Sequence, residues 1–263
     1  MSPLEFGVVS AESASAESLA RFCEKLGRAT GLSVQPRLLG SYADLKAGTL
    51  AGELDVVWAP PLVAIDLEDE AAAQSVVVVH RSARAGYYSA LFARTESRFT
   101  RPEDLRGARA AWVSKDSASG YFVPRWHLRS MGIRLAEAFA SEALLGTHEA
   151  VTRAVLDDTA DVGATHVALD PVTGNLASAP WLAQGVAPSA VRVLLLVGPI
   201  PGDVIAVSQR VDGSTRRRLV AALVAMKEDA SSRNLFEAGQ FDPVPEGHLD
   251  LLRRLARFRE TKA

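Results

Sequence analysis

Short apolar runs alternate with amphipathic helical patterns along nearly the whole chain, and this alternation limits the fold more than any other feature. Residues 4–9 predict a strand that ends before a serine-rich stretch. The next apolar residues have the i, i+3, i+4, i+7 spacing of a helix: Leu19, Phe22, Cys23 and Leu26. Strands that alternate with helices in this way favour an α/β fold with largely parallel sheets.

The number of short strands indicates two lobes instead of one sheet. Further strands are predicted at residues 32–39, 54–58, 76–79, 108–113, 139–145, 161–164 and 204–207. Two longer candidates, residues 87–94 and 191–197, bracket the middle of the chain. They are the candidates for crossover strands between the lobes.

Composition excludes several classes of function. The chain has 29 Lys and Arg against 31 Asp and Glu, so it carries no excess of positive charge for binding a nucleic acid. The single cysteine excludes an internal disulfide and any multi-cysteine metal site. The five histidines are scattered without short metal-ligand spacings, and no glycine-rich phosphate loop is present. We therefore expect no metal, no cofactor and no nucleic-acid partner.

The first residues, MSPLEF, lack the basic and long apolar regions of a secretory signal. The longest apolar stretches, near residues 62–67 and 193–197, are far shorter than the ~20 residues that a membrane span needs. We therefore expect no membrane span. The sequence as printed predicts a cytoplasmic protein, or a periplasmic or cell-surface protein if an export segment was removed.

The most informative segment for chemistry is the serine-rich loop at residues 115–121, between a predicted strand and a predicted helix. The start of a helix has unpaired N–H donors and partial positive charge, which suits an oxyanion. Ser117 and Ser119 would add hydroxyl groups there. The alternative is that one of these serines simply caps the helix, and spacing alone favours the cap.

A second candidate is the segment Gly-Thr-His-Glu at residues 146–149, also between a strand and a helix. Thr147 can cap this helix, and His148 would then lie in its first turn. Taken alone, His148 is more simply a surface histidine. Two helix starts that face one crevice would fit ligand binding beyond the carboxyl ends of the strands.

Four aromatic residues are candidate ligand contacts, namely Tyr42, Trp58, Tyr87 and Tyr88. Trp58 ends an apolar strand and is predicted to lie in the core. Successive residues of a strand point to opposite faces, so at most one of Tyr87 and Tyr88 would face a cleft.

Six segments together resemble the PhnD-like phosphonate-binding proteins, which are the solute-binding components of ABC importers for phosphonates and related phosphorus oxyanions. They occur here in the family's order: GYYS (86–89), PEDLRG (102–107), DSASGYFVP (116–124), GTHE (146–149), ADV (160–162) and PIPGD (199–203). The resemblance covers residues 4–255 and is densest between residues 86 and 161.

The resemblance implies a two-lobed type II periplasmic-binding-protein fold with crossover hinge strands and a ligand held in the cleft. Residues 1–92 and 196–263 would form the first lobe, and residues 93–195 the second. The implied contacts to the phosphonate are the Ser-x-Ser-Gly helix start, the histidine of the GTHE segment, a tyrosine of the GYYS segment and an aromatic residue of the first lobe. Here these are Ser117, Ala118, Ser119, Gly120, His148, Tyr88 or Tyr87, and Tyr42.

Two departures from the family pattern fall within this implied site. Ala118 stands where members often have threonine, which removes one hydroxyl. Residues 164–166 read Ala-Thr-His where members often place an aspartate that faces the ligand's amine, so an aminoalkylphosphonate is disfavoured. His166 would instead pair with an anionic group or cap a helix. The missing signal peptide is a third departure.

The resulting hypothesis is a non-catalytic, monomeric solute-binding protein that closes its lobes around a phosphonate, phosphite or phosphate and delivers it to an ABC permease. The absent signal peptide leaves two alternatives. One is a cytosolic enzyme on the same fold, resembling the chorismate dehydratases. The other is a cytosolic sensor whose closed state is recognised by a protein partner.

Overall fold

The computed structural model describes residues 2–9, 15–80, 86–226, 235–236 and 240–257. The strands are β1 (Leu4–Val9), β2 (Val34–Leu39), β3 (Val56–Ala59), β4 (Ala73–His80), β5 (Gly86–Arg94), β6 (Ala108–Trp112), β7 (Phe139–Leu144), β8 (Val162–Leu169), β9 (Leu176–Ser178), β10 (Val191–Pro201), β11 (Val204–Ser208) and β12 (Gln240–Pro243).

The helices are α1 (Ala16–Thr30), α2 (Tyr42–Leu50), α3 (Pro61–Asp69), α4 (Val123–Ser130), α5 (Leu135–Ala138), α6 (His148–Leu156), α7 (Pro180–Ala183), α8 (Gly213–Ala225) and α9 (Asp250–Ala256). Short 3-10 helices occur at Pro102–Asp104 and Pro188–Ala190, and a π-helix at Ala118–Phe122. Within the described residues, no helix combines the length and the apolar character that crossing a membrane requires.

The chain forms two compact units, residues 1–85 with 201–263 and residues 86–200. The boundaries predicted from the resemblance, at 92/93 and 195/196, fall inside β5 and β10. Both strands belong to the sheet of the second unit, where they are neighbours.

The first unit is a six-stranded sheet in the order β12-β4-β11-β3-β1-β2. Helix α1 packs against it because its apolar stripe, predicted from spacing, is buried beside Phe6. Ser15 caps the helix by accepting a hydrogen bond from the Ser18 N–H, and Gly31 ends it with a φ of 66°. The ring centroids of Phe22 and Phe236 lie 5.0 Å apart in this core.

The second unit is a five-stranded sheet in the order β10-β5-β8-β6-β7, with β9 added to β8. Strand β6 runs parallel to β7 and β8, whereas β5 is antiparallel to β8. In the first unit β11 is antiparallel to both β3 and β4. The prediction of largely parallel sheets was therefore wrong, and both sheets are mixed. Strand β11 follows the whole second unit in sequence, so no helical crossover fixes its direction against β3.

Candidate functional site

The serine-rich loop after β6 folds into a buried turn at the start of a helix. Ser117 is the N-cap: its hydroxyl oxygen accepts a hydrogen bond from the Gly120 N–H at 3.0 Å. The Phe122 N–H bonds to the Ser117 carbonyl at 3.0 Å, which opens the first turn to π-helical width before α4 continues. Ser117, Ala118 and Ser119 are each no more than 3% exposed. The capping alternative for Ser117 therefore holds.

Only glycine fits at position 120 of this turn. A Cβ atom there would lie 2.3 Å from Val113 Cγ2 and 2.9 Å from the Ser117 hydroxyl oxygen. The close approach exists because the Val113 N–H donates to the Gly120 carbonyl at 3.1 Å. A backbone hydrogen bond thus holds the turn directly against the end of β6.

The second helix start is fastened to the same residue. The Gly146 N–H donates to the Val113 carbonyl at 2.8 Å, and Gly146 has a φ of 84°, which glycine adopts without strain. Thr147 then caps α6 by accepting from the Ala150 N–H at 3.1 Å, and His148 is the first residue of the helix. The backbone of Val113 therefore joins both helix starts at the carboxyl end of β6.

His148 is oriented by a residue that sequence reasoning did not single out. Its Nδ1 atom lies 2.9 Å from the hydroxyl oxygen of Thr165, which is completely buried in β8. The ring of His166 makes an edge-to-face contact with the ring of His148, with centroids 4.6 Å apart and an interplanar angle of 82°. The structure thus brings His148 into contact with both His166 and Thr165.

Helix α6 lies close on β8 because the strand has a glycine there. A Cβ atom at Gly163 would lie 2.7 Å from Val151 and 2.9 Å from Val155. A larger residue would push α6, and His148 with it, away from Thr165.

Ser89 is a second residue beside these helix starts that sequence reasoning did not single out. Its side chain is completely buried, and its hydroxyl donates a 2.7 Å hydrogen bond to the Ser119 carbonyl. Ser89 is the register partner of His166 in the β5–β8 pair. Its only sequence signal was membership of the GYYS segment.

The aromatic candidates lie on separate elements. Tyr87 and Tyr88 are both half-buried in β5, and the Tyr88 ring packs against Gly198, where a Cβ atom would lie 2.6 Å from it. Tyr42 belongs to the first unit, where it begins α2 after the Ser41 cap and is half-buried. Its ring centroid is 6.4 Å from that of Trp58, which lies in the core as predicted.

Charged side chains pair at two places on the sheet of the second unit, beside the edge strand β7 and at the amino ends of β6 and β8. The guanidinium of Arg125, in α4, lies 4.6 Å from the Tyr121 ring centroid. It also pairs with Glu142 of β7, whose carboxylate accepts a hydrogen bond from the Trp112 indole N–H. Burial lowers the pKa of Arg125.

At the amino ends of β6 and β8, Arg109 pairs with Asp158 and Asp161 at 2.9 and 2.8 Å. Hydrogen bonds from Arg109 lower the pKa of Asp161. These ion pairs lie at the end of β6 away from the helix starts. In the described part of the chain, no three or more His, Cys, Asp or Glu side chains are grouped so that they could hold a metal ion.

Two kinds of comparison identify relatives. A family model described as the periplasmic substrate-binding protein of a phosphonate ABC transporter matches residues 6–250. Among solved structures, a binding protein component of a phosphonate ABC transporter from Pseudomonas aeruginosa has a TM-score of 0.80 at 19% identity, with 98% of this chain and 87% of that chain covered.

Two further solved structures are similar over almost their whole length. PhnD1 from Prochlorococcus marinus, in complex with methylphosphonate, has a TM-score of 0.76 at 15% identity and covers 98% of each chain. A protein from Xanthomonas citri bound to ATP has a TM-score of 0.79 at 20% identity and covers 99% of each chain. These likenesses confirm the predicted fold class.

Proposed function

The chain belongs to the family of periplasmic phosphonate-binding proteins of ABC transporters, and from this premise we propose that residues 117–120 and His148 bind the oxyanionic group of its solute. Membership of a family of solute-binding components confirms the predicted function class and the prediction of a non-enzyme.

The observation that supports this site is the double attachment to Val113. Its N–H bonds to Gly120 and its carbonyl to Gly146, so the starts of two helices lie at one end of one strand. Each helix start carries partial positive charge, so two starts at the end of one strand favour a bound anion more than one start would. The hydroxyl of Ser119 and the imidazole of His148 provide further donors. Binding would then need hydrogen bonds and helix dipoles only.

The solute proposed for this site is a small phosphorus oxyanion without an amine, such as phosphonate, phosphite or phosphate. The residues beside His148 are a neutral hydroxyl, Thr165, and a second imidazole, His166. An ammonium group prefers a carboxylate partner, whereas an imidazole can donate to another anionic oxygen. Ala118 contributes a methyl group in place of a hydroxyl.

Tyr42, Tyr87 and Tyr88 are proposed as further ligand contacts, on the strength of the family pattern. Phenolic hydroxyls can donate to phosphonate oxygens, and the rings can cover a small alkyl substituent. Replacing each tyrosine in turn by phenylalanine tests this role, because only the hydroxyl is removed.

The first experiment is a thermal-shift panel with phosphate, phosphite, methylphosphonate, 2-aminoethylphosphonate, sulfate and ATP. ATP is included because the similar Xanthomonas citri protein was solved with it. A ligand at a hundred times its Kd adds about 2.7 kcal/mol, which raises the Tm of a chain of this size by about 5–10 °C. A shift with small phosphorus oxyanions but not with sulfate is the expected result. No shift with any of the six would contradict the proposed ligand class.

The site assignment is tested by Ser119→Leu, which should abolish the shift because its side chain fills the space of the oxyanion. The matched control is Ser130→Ala, which removes an exposed hydroxyl bonded to the His127 carbonyl on the same helix, and should leave the shift intact. Retained affinity in Ser119→Leu would contradict the assignment.

We further propose that the protein acts as a monomer in the periplasm and delivers its solute to an ABC permease. Family membership supports the compartment and the transporter class. Light scattering of the ligand-bound protein tests the monomer, and solute uptake by vesicles that contain the candidate permease tests delivery. A dimer in light scattering would contradict the monomer. Uptake by the vesicles without added binding protein would contradict delivery.

A further inference from the structure

The hydroxyl of Thr165 has a single hydrogen-bond partner among the described residues, and this partner is Nδ1 of His148 at 2.9 Å. Thr165 is completely buried in β8, between β5 and β6 in the sheet. The residue has no surface exposed to bulk solvent, so its hydroxyl depends on partners inside the protein.

A single partner decides the direction of this bond. A hydroxyl group has one hydrogen to donate, and a neutral imidazole has one N–H donor and one acceptor nitrogen. If Nδ1 of His148 carried the hydrogen, the hydroxyl hydrogen of Thr165 would remain buried without an acceptor, which costs roughly 1–3 kcal/mol. The hydroxyl therefore donates, Nδ1 accepts, and the imidazole hydrogen lies on Nε2.

The neighbouring ring is consistent with an uncharged His148. The His166 ring lies edge-to-face at a centroid distance of 4.6 Å. Two imidazolium cations at this distance would repel each other, so the contact disfavours a state in which both rings are charged.

We propose that Thr165 is a positioning residue that holds His148 as the neutral tautomer with its hydrogen on Nε2. His148 then offers the solute an N–H donor of fixed direction and does not have to take up a proton to bind it. The role of His148 toward the solute rests on the proposed function, whereas its tautomer does not.

The tautomer is measured on the ligand-free protein by long-range 1H–15N correlation of 15N-histidine-labelled chain at pH 7.5. The His148 signals are assigned by their loss in His148→Gln. The expected pattern is a protonated Nε2 and an unprotonated Nδ1. A protonated Nδ1, in either the other tautomer or the imidazolium, would overturn the proposal.

Thr165→Val removes the hydroxyl at nearly constant shape, and should allow His148 to populate the other tautomer and weaken methylphosphonate binding about tenfold. Thr165→Ser keeps the hydroxyl and should restore both the spectrum and the affinity. If Thr165→Val does not fold, the wild-type and Thr165→Ser spectra still decide the question. An unchanged His148 spectrum in folded Thr165→Val would overturn the proposal.

A matched control is Thr152→Val in α6. Thr152 is also completely buried, but its hydroxyl donates to the backbone carbonyl of His148 at 2.9 Å and not to the ring. Thr152→Val should leave the His148 tautomer and the methylphosphonate affinity unchanged.

A protein that binds no oxyanion but shows the Nε2 tautomer would refute the proposed function alone. A protein that binds methylphosphonate with Nδ1 protonated would refute this inference alone.

Discussion

The hydroxyl of Ser89 donates a 2.7 Å hydrogen bond to the carbonyl oxygen of Ser119, and both residues are almost fully buried. Thirty residues of chain separate the two. The bond fastens the π-helical turn to strand β5, while Val113 fastens it to β6. The geometry of the proposed oxyanion site therefore depends on a side chain from β5, which is separated from β6 by β8 in the sheet.

Ser89→Ala should lower both stability and ligand affinity, because the buried Ser119 carbonyl loses its donor. The expected cost is about 1–3 kcal/mol of unfolding free energy. Denaturant unfolding and titration with methylphosphonate measure the two effects. The control is Ser75→Ala, since the buried Ser75 hydroxyl has no hydrogen-bond partner among the described residues. Its replacement should be neutral or stabilising, and an equal loss in both variants would contradict this account.

Gly120→Ala should disrupt the turn, because the added Cβ atom would lie 2.3 Å from Val113 Cγ2. We expect loss of oxyanion binding and a lower Tm. Adding Val113→Ala removes the nearest obstructing methyl group and should recover part of the affinity; the Cβ atom of residue 113 would still lie 2.8 Å away, so full recovery is not expected. Gly40→Ala serves as the control, since a Cβ atom there has its nearest neighbour at an ordinary 3.5 Å. Full binding in Gly120→Ala would show that the turn is not needed in this form.

His248 should make the protein less stable at mildly acidic pH. Burial lowers the pKa of His248 from its ordinary value of 6.5, and nearby His80 lowers it further, although a hydrogen bond to the Gly202 carbonyl opposes them. The unfolded chain therefore takes up a proton at higher pH than the folded chain, and stability falls as pH drops below 6.5. Unfolding at pH 7.5 and 5.5 should show a smaller difference in His248→Gln than in the wild type. An equal difference would argue against this role.

Cys23 should be unreactive while the protein is folded. Burial, aided by the charge of Glu5, raises the pKa of the Cys23 thiol to about 12, and the thiolate is the reactive form. An aromatic disulfide reagent at pH 8 should therefore label no thiol in the native protein and one thiol per chain in guanidinium chloride. Rapid labelling of the native protein would contradict the burial of this residue.

Local sequence patterns were sufficient for the starts of those helices that a side chain caps. Ser41, Ser117 and Thr147 each precede a helix and cap it by accepting an N–H three residues later, a contact set by neighbours in the chain. The apolar stripe of α1 was likewise predictable, because helical periodicity fixes which side chains share a face.

The sequence did not predict the antiparallel strands, nor Ser89 and Thr165 as parts of the site. Strand β11 returns to the first sheet only after the whole second unit, so nothing local sets its direction or its neighbours.

The sequence by itself determined the α/β class, the starts of the capped helices, and the residues that offer hydroxyl and imidazole donors, since these depend on periodicity and on contacts within a few residues. Tertiary structure alone decided that Ser89 lies opposite His166, that Thr165 bonds to His148, and that Val113 holds both helix starts. The physical reason is register. In a sheet, pairing between distant segments selects which side chains meet, and a shift of one residue would turn each of them to the other face.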